Sequence, residues 1–117
     1  MYETTKDSGK TTIAPDVLVD ITRLAALGVE GVDRLAPVPG GVNRLFRRGT
    51  SEGVQILVEG NKVDADIYLI LRPNTSILEV SREVQNRVAR AIEEMVGMEI
   101  GGIHIHVEDI AVQPHLS

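Results

Sequence analysis

Residues 76–97 read SILEVSREVQNRVARAIEEMVG, and the rest of the chain is organised around this stretch. Ile77, Val80, Val84, Val88, Ala91, Ile92 and Met95 recur at steps of three and four, which gathers them on one face of a helix. Glu79, Arg82, Glu83, Arg87, Arg90, Glu93 and Glu94 fall between them and face water. Ser76 with Glu79 three residues later is a capping-box start, Pro73 blocks any earlier helix, and Gly97 supplies a left-handed stop. The spacing therefore predicts one long amphipathic helix. Glu83 and Arg87 are placed for a favourable pair along it.

A strand-like run flanks the helix on each side. Before it, Ala65, Ile67, Leu69 and Leu71 alternate with Asp64, Asp66, Tyr68 and Ile70. A preceding run alternates Val54, Ile56 and Val58 with Gln55, Leu57 and Glu59, and Gly60-Asn61 joins the two as a tight hairpin. After the helix, Ile103, Ile105 and Val107 alternate with His104, His106 and Glu108 in a last strand over 100–112. Nearer the start, Pro15 and Asp16 suit the first turn of a second helix. It carries Val17, Leu18, Ile21, Leu24 and Ala25 at helical spacing and ends at Gly28. Ile13 is placed at the end of a short strand before it. The run from Val29 to Val38 reads as a strand with Val32 and Leu35 inward, broken by Pro37 and Pro39.

Two helices with one apolar stripe each predict an α+β fold, with both packed on one face of a small mixed β-sheet in a single domain. The opposite face then carries Leu57, Asp64, Asp66, Tyr68, Ile70, His104, His106 and Glu108, half polar and half apolar. The domain is expected over residues 13–112, between a polar, aperiodic tail at 1–12 and a short one at 113–117. Strand order does not follow from the pattern.

Composition narrows the function classes. A chain of 117 residues is one domain by length. With no cysteine, disulfides and thiolate metal sites are excluded. A formal charge of −5 disfavours nucleic acid as the main partner. Tyr2, Phe46 and Tyr68 are its only aromatic residues, too few for a base-stacking platform. No apolar run reaches membrane-spanning length, and the N-terminus does not read as a signal peptide. The expectation is a soluble cytoplasmic protein.

No catalytic signature emerges. The serines lie in the tails, in the loop (Ser51) or along the long helix (Ser76, Ser81), without a nucleophile elbow, and no phosphate-binding glycine loop is present. Gly28-Val29-Glu30-Gly31 has the spacing of a nucleic-acid clamp, but its glutamate repels phosphate and a strand follows it; a helix stop and turn explain it better. His104 with His106 and Asp64 with Asp66 each project to one face, and adjacent strands would bring imidazoles and carboxylates near a divalent metal. An alternating polar face is the simpler account, so no metal and no cofactor are assigned. The irregular stretch from Pro39 to Gly53 is the most suggestive feature. In it Arg44, Arg47 and Arg48 surround Leu45 and Phe46, chemistry that suits a protein partner, an acidic membrane surface or a phosphate backbone. Arg44, Phe46, Arg47 and Arg48, together with Tyr68 and Ile70 on the open sheet face, are the candidate interaction residues.

Taken in order, Ile13-Ala14-Pro15-Asp16-Val17-Leu18, Ala25-Ala26 and Gly28-Val29-Glu30-Gly31-Val32 resemble the opening of the alkaline-shock-protein family of bacterial envelope stress proteins. Gly53-Val54, Val63-Asp64-Ala65-Asp66-Ile67-Tyr68-Leu69, and Ile77-Leu78-Glu79-Val80 with Val84-Gln85 and Val88 resemble its middle. Met95-Val96-Gly97-Met98 and Ile103-His104-Ile105-His106-Val107-Glu108-Asp109-Ile110 are similar to its end. The resemblance covers about Thr12 to Val112. It implies a small cytoplasmic protein without catalytic residues or cofactor, which self-associates or binds a protein partner. In some members that partner is a separate membrane protein, holding them at the inner face of the cell membrane. A non-enzymatic, self-assembling or protein-interaction role linked to envelope stress or homeostasis is expected. The alternative is a weak RNA-binding module that uses the arginine loop.

Overall fold

A computed structural model describes residues 13–39, the backbone of 48–51, and residues 53–112. The stretches read as tails, 1–12 and 113–117, lie outside the described residues. In chain order the elements are α1 (Pro15–Leu27), β1 (Val32–Leu35), β2 (Arg48–Ser51), β3 (Val54–Glu59), β4 (Lys62–Leu71), α2 (Ile77–Val96) and β5 (Glu99–Ile110).

The long helix forms as its sequence dictates. Ser76 is the N-cap, its hydroxyl accepting from the Glu79 N–H at 3.2 Å, and Gly97 closes the helix at φ 78°. Val80, Val84, Val88 and Ile92 are buried along one stripe. The stripe is shorter than expected, because Ile77 and Met95 at its two ends are exposed. Arg87 Nε meets Glu83 Oε2 at 2.9 Å across one helical turn.

The sheet has five strands, with β4 at its centre. β5 runs parallel along one edge of β4, from Lys62 opposite Glu99 to Leu71 opposite Ile110. Two strands share the other edge end to end, both antiparallel. β3 pairs with the first part of β4 (Glu59 opposite Lys62 through Val54 opposite Ile67), and β1 takes the last part (Leu35 opposite Leu69, Val32 opposite Leu71). Their junction lies at Tyr68, whose N–H donates to Gly53 O and whose carbonyl accepts from Ala36 N–H. Gly53 sits here at φ 80°, and a Cβ on it would lie 2.5 Å from Leu35 Cβ. Only glycine fits the abutment.

Both helices cover one face of this mixed sheet, as the pattern predicts, and the core lies between the two layers. Val63, Ala65, Ile67, Leu69 and Leu71 of β4 point into it and are each fully buried. At roughly 1.5–3 kcal/mol per large apolar side chain, Val63, Ile67, Leu69 and Leu71 each contribute substantially to hydrophobic stabilisation.

Three expectations need correction. The buried stripe of α1 is Leu18, Val19, Thr22 and Ala26, while Val17 and Leu24 face outward. The helix carries apolar residues on several sides, so its sequence fits two phases; packing selects the one that places the small Thr22 and Ala26 inward. Ile13 belongs to no strand and instead packs, half-buried, against the core. The stretch from Pro39 to Gly53 is not wholly irregular either, since 48–51 form β2, paired antiparallel with β3.

Candidate interaction surface

The alternation of β4 that fills the core on one side places Asp64, Asp66, Tyr68 and Ile70 on the other, each half-buried. Register extends this surface across the sheet. Gln55 of β3 lies opposite Asp66 and Leu57 opposite Asp64, while on β5 His104 lies opposite Asp66 and His106 opposite Tyr68. The open face anticipated from the sequence is therefore assembled, with Gln55 added to it and one residue displaced. The register slips between Leu69 and Ile70, which leaves Glu108 without a counterpart and places Asp109 opposite Ile70.

The middle of this face is ordered by side-chain contacts. The Tyr68 and His106 rings stack at 4.4 Å with an interplanar angle of 12°. His106 Nε2 lies 2.9 Å from Asp66 Oδ1. Gly101 and Gly102, which the sequence reading passed over, make room beside them. A Cβ on Gly101 would lie 2.5 Å from Asp64 Oδ1, and one on Gly102 would lie 2.9 Å from His104 Nε2. The Asp64 carboxylate and the His104 ring thus lean over the glycine pair. Sequence alone could have signalled this, as adjacent glycines in a strand often mark a close approach.

The condition set for a metal site, adjacency of the two strands, is met. Even so, among the described residues no three His, Asp or Glu side chains converge to hold an ion. Among the described residues no serine or threonine hydroxyl hydrogen-bonds to either member of the His106–Asp66 pair. What the arrangement offers is a mixed surface: a stacked aromatic pair, a carboxylate in contact with imidazole, and the aliphatic side chains of Ile70 and Leu57 at its margins.

The arginine cluster is not tested in the same way. Arg44, Phe46 and Arg47 lie outside the described residues, and Arg48 is described only as the first backbone position of β2. The glycine-spaced turn at 28–31 behaves as a helix stop. Gly28 caps α1, and Gly31, at φ 105°, lets the turn lie against Val80 of α2. A shallow groove of about 640 Å³ at one end of the sheet is lined by Asp33, Arg34, Arg72, Pro73, Asn74 and Ala111, among others. Arg34 is paired there with Asp33, which leaves no assembled acid–base set.

The chain can now be set against known proteins. A model of the alkaline shock protein 23 family, described as having a cell envelope-related function, matches residues 3–112. The chain belongs to this family. Among its relatives, Spy1535 of Streptococcus pyogenes serotype M6 is 33% identical over 111 residues, covering 94% of this chain and 85% of that protein. YloU of Bacillus subtilis (strain 168) is 27% identical over 108 residues, covering 89% and 90%. Neither is named as an enzyme. The fold also resembles the copper form of the MamM CTD, with a TM-score of 0.51 at 15% identity over 86% of this chain and 90% of that one, a likeness of architecture alone. The resemblance drawn from the sequence thus names the right family, and the family carries a cell envelope-related function. No helix among the described residues is long and apolar enough to cross a membrane.

Proposed function

We propose that this chain is a non-enzymatic interaction domain serving the cell envelope from the cytoplasm, through self-association or a protein partner received on its open sheet face. One observation carries the reading. The helices cover a single side of the sheet, and the other presents Tyr68, His106, Asp66, Ile70 and Leu57 as a half-apolar surface. Mixed surfaces of this kind, with an aromatic centre and a polar rim, are typical of protein–protein contacts. A membrane protein acting as anchor would bring the domain to the inner face of the membrane without a span of its own.

The test is a tagged pull-down from its own cells, with nuclease treatment and with both protein and nucleic acid read out. A specific protein partner that survives nuclease, and is lost when Tyr68→Glu and Ile70→Lys are combined, supports the proposal. Recovery of RNA, with protein partners lost on nuclease treatment, overturns it in favour of RNA binding through Arg44, Arg47 and Arg48.

A further inference from the structure

β5 is an edge strand of 12 residues, and among the described residues no strand pairs with its outer side. Natural edges of this length are usually protected by lysine, proline or an inward charge. From Ile100 to Val107 this strand has none of these. Its core-facing side chains are also incompletely covered. Ile103, Ile105 and Val107 remain half-exposed, whereas their neighbours across the ladder, Ala65, Ile67 and Leu69, are fully buried. Both the backbone and the apolar row are left unfinished along the same line.

The register shows which groups face outward. In a parallel pair, alternate residues turn both backbone groups toward the neighbour. Ala111 N–H donates to Leu71 O while Ile110 lies opposite Leu71. Along β5, therefore, residues directly opposite Leu71, Leu69, Ile67 and Ala65 point their own amides away from β4. Ile103, Ile105 and Val107 form this outward set. Consistent with this, the Gln85 side chain reaches from α2 to donate to Ile103 O at 3.0 Å. That carbonyl keeps a second lone pair for another donor.

The sequence of this edge, Ile103-His104-Ile105-His106-Val107, reads nearly the same in both directions. A strand of that kind complements itself about a two-fold axis. We infer that β5 pairs antiparallel with β5 of a second copy of this chain, centred on Ile105, so that two five-stranded sheets join into one. Centring on Ile105 gives every outward residue a counterpart. Ile105 meets the second copy's Ile105, and Ile103 meets its Val107, in hydrogen-bonded pairs. His104 stands opposite the second copy's His106 on the open face, in a non-hydrogen-bonded pair where side chains approach most closely. No like charges oppose one another when the imidazoles are neutral. At the ends of this core, Gly102 faces Glu108, which avoids acid against acid. The assembly completes the burial of Ile103, Ile105 and Val107 and makes the two open faces continuous. It rests on the reading of the chain as an interaction domain and specifies one of that domain's partners.

The absence of cysteine makes the register directly testable. His104→Cys and His106→Cys are prepared separately, and each is oxidised alone and after mixing. A disulfide-linked dimer that forms at least ten times more readily in the mixture than in either pure variant is the expected result. Equal cross-linking in all three samples, or none in the mixture, overturns the pairing. A charge exchange provides a second test. His104→Glu with His106→Glu, and separately His104→Lys with His106→Lys, are each expected to give the mass of one chain by light scattering. Mixing them should restore the mass of two, which also shows that both variants are folded. Wild type at the mass of one chain across a hundredfold dilution series, or variants that assemble unmixed, counts against the inference. If the cross-link fails while the open face still captures its partner, the edge pairing alone is wrong. If the cross-link forms but nothing binds Tyr68 and Ile70, the error lies in the open-face reading.

Discussion

The two faces of β4 carry alternate residues of one ten-residue strand and serve opposite ends. On the helix side Val63, Ala65, Ile67, Leu69 and Leu71 lie without solvent contact among aliphatic neighbours, where any lost methyl leaves a void. On the other side Asp64, Asp66, Tyr68 and Ile70 are half-exposed and held by directed contacts, a stacked ring and an imidazole–carboxylate pair. The difference teaches that the pleat itself separates a close-packed face from an open one, and so separates stability from the recognition proposed above. Substitutions on one side should unfold the domain, and substitutions on the other should change what it binds.

The separation is broken most directly at its centre. Ile67→Ala is expected to lower the unfolding free energy by about 2–5 kcal/mol in urea denaturation. Ile70→Ala, three residues along on the other face, should lower it by under about 1.5 kcal/mol, because a half-exposed side chain loses less on truncation. Equal losses at the two positions would mean that the faces are not distinct. Gly53→Ala, where the conformation is left-handed and the new Cβ strikes Leu35, should cost about 1–3 kcal/mol. An unchanged denaturation midpoint would show that β1 and β3 do not abut there.

Smaller effects sharpen the comparison. Thr22 is wholly buried, with no hydrogen-bond partner for Oγ1 among the described residues, so Thr22→Val should raise stability by about 1 kcal/mol. A loss measured by thermal unfolding instead would point to an unseen partner for the hydroxyl. Ser76→Ala should remove about 1 kcal/mol by uncapping α2, read as a lower denaturation midpoint. Arg87→Ala, which breaks an exposed pair with Glu83, should shift stability by no more than about 0.5 kcal/mol. A larger change would assign Arg87 a packing role against the end of α1, where it approaches Gly28.

What the sequence made legible follows from how strongly each pattern was constrained. α2 was readable because its stripe, cap and stop agree, and the β3–β4 hairpin because its alternation runs unbroken through Gly60-Asn61. The phase of α1 was not, because a helix with apolar residues on several sides leaves the choice to its neighbours, and Thr22 disguises a core position as a polar one. β2 was hidden because Arg48-Gly49-Thr50-Ser51 has no apolar alternation; its place comes from backbone pairing with β3. The β1 pattern, with Val32 and Leu35 both inward three residues apart, suits neither a flat strand nor a full helix. It is explained by the register shift between Val32 and Arg34. On the open face, the sequence reading omitted Gln55, which pairs opposite Asp66, and included Glu108, whose displacement depends on a bulge that no local pattern announces. Strand order required knowing that β1 and β3 divide a single edge, a fact of tertiary packing.

The link from α2 to β5 consists of Gly97 and Met98 alone. The placing of β5 last, directly after α2, has a consequence for how the protein is made. A ribosome delivers β4 well before the strand that completes its edge, and before the helix that covers its apolar row. Until Glu99 and the residues after it emerge, β4 stands open along the edge that β5 will occupy. Any message truncated within α2 therefore yields not a weakened domain but a chain without its central ladder, a natural target for cellular proteases. Synthesis through β5 is the step at which the central ladder of the sheet can close.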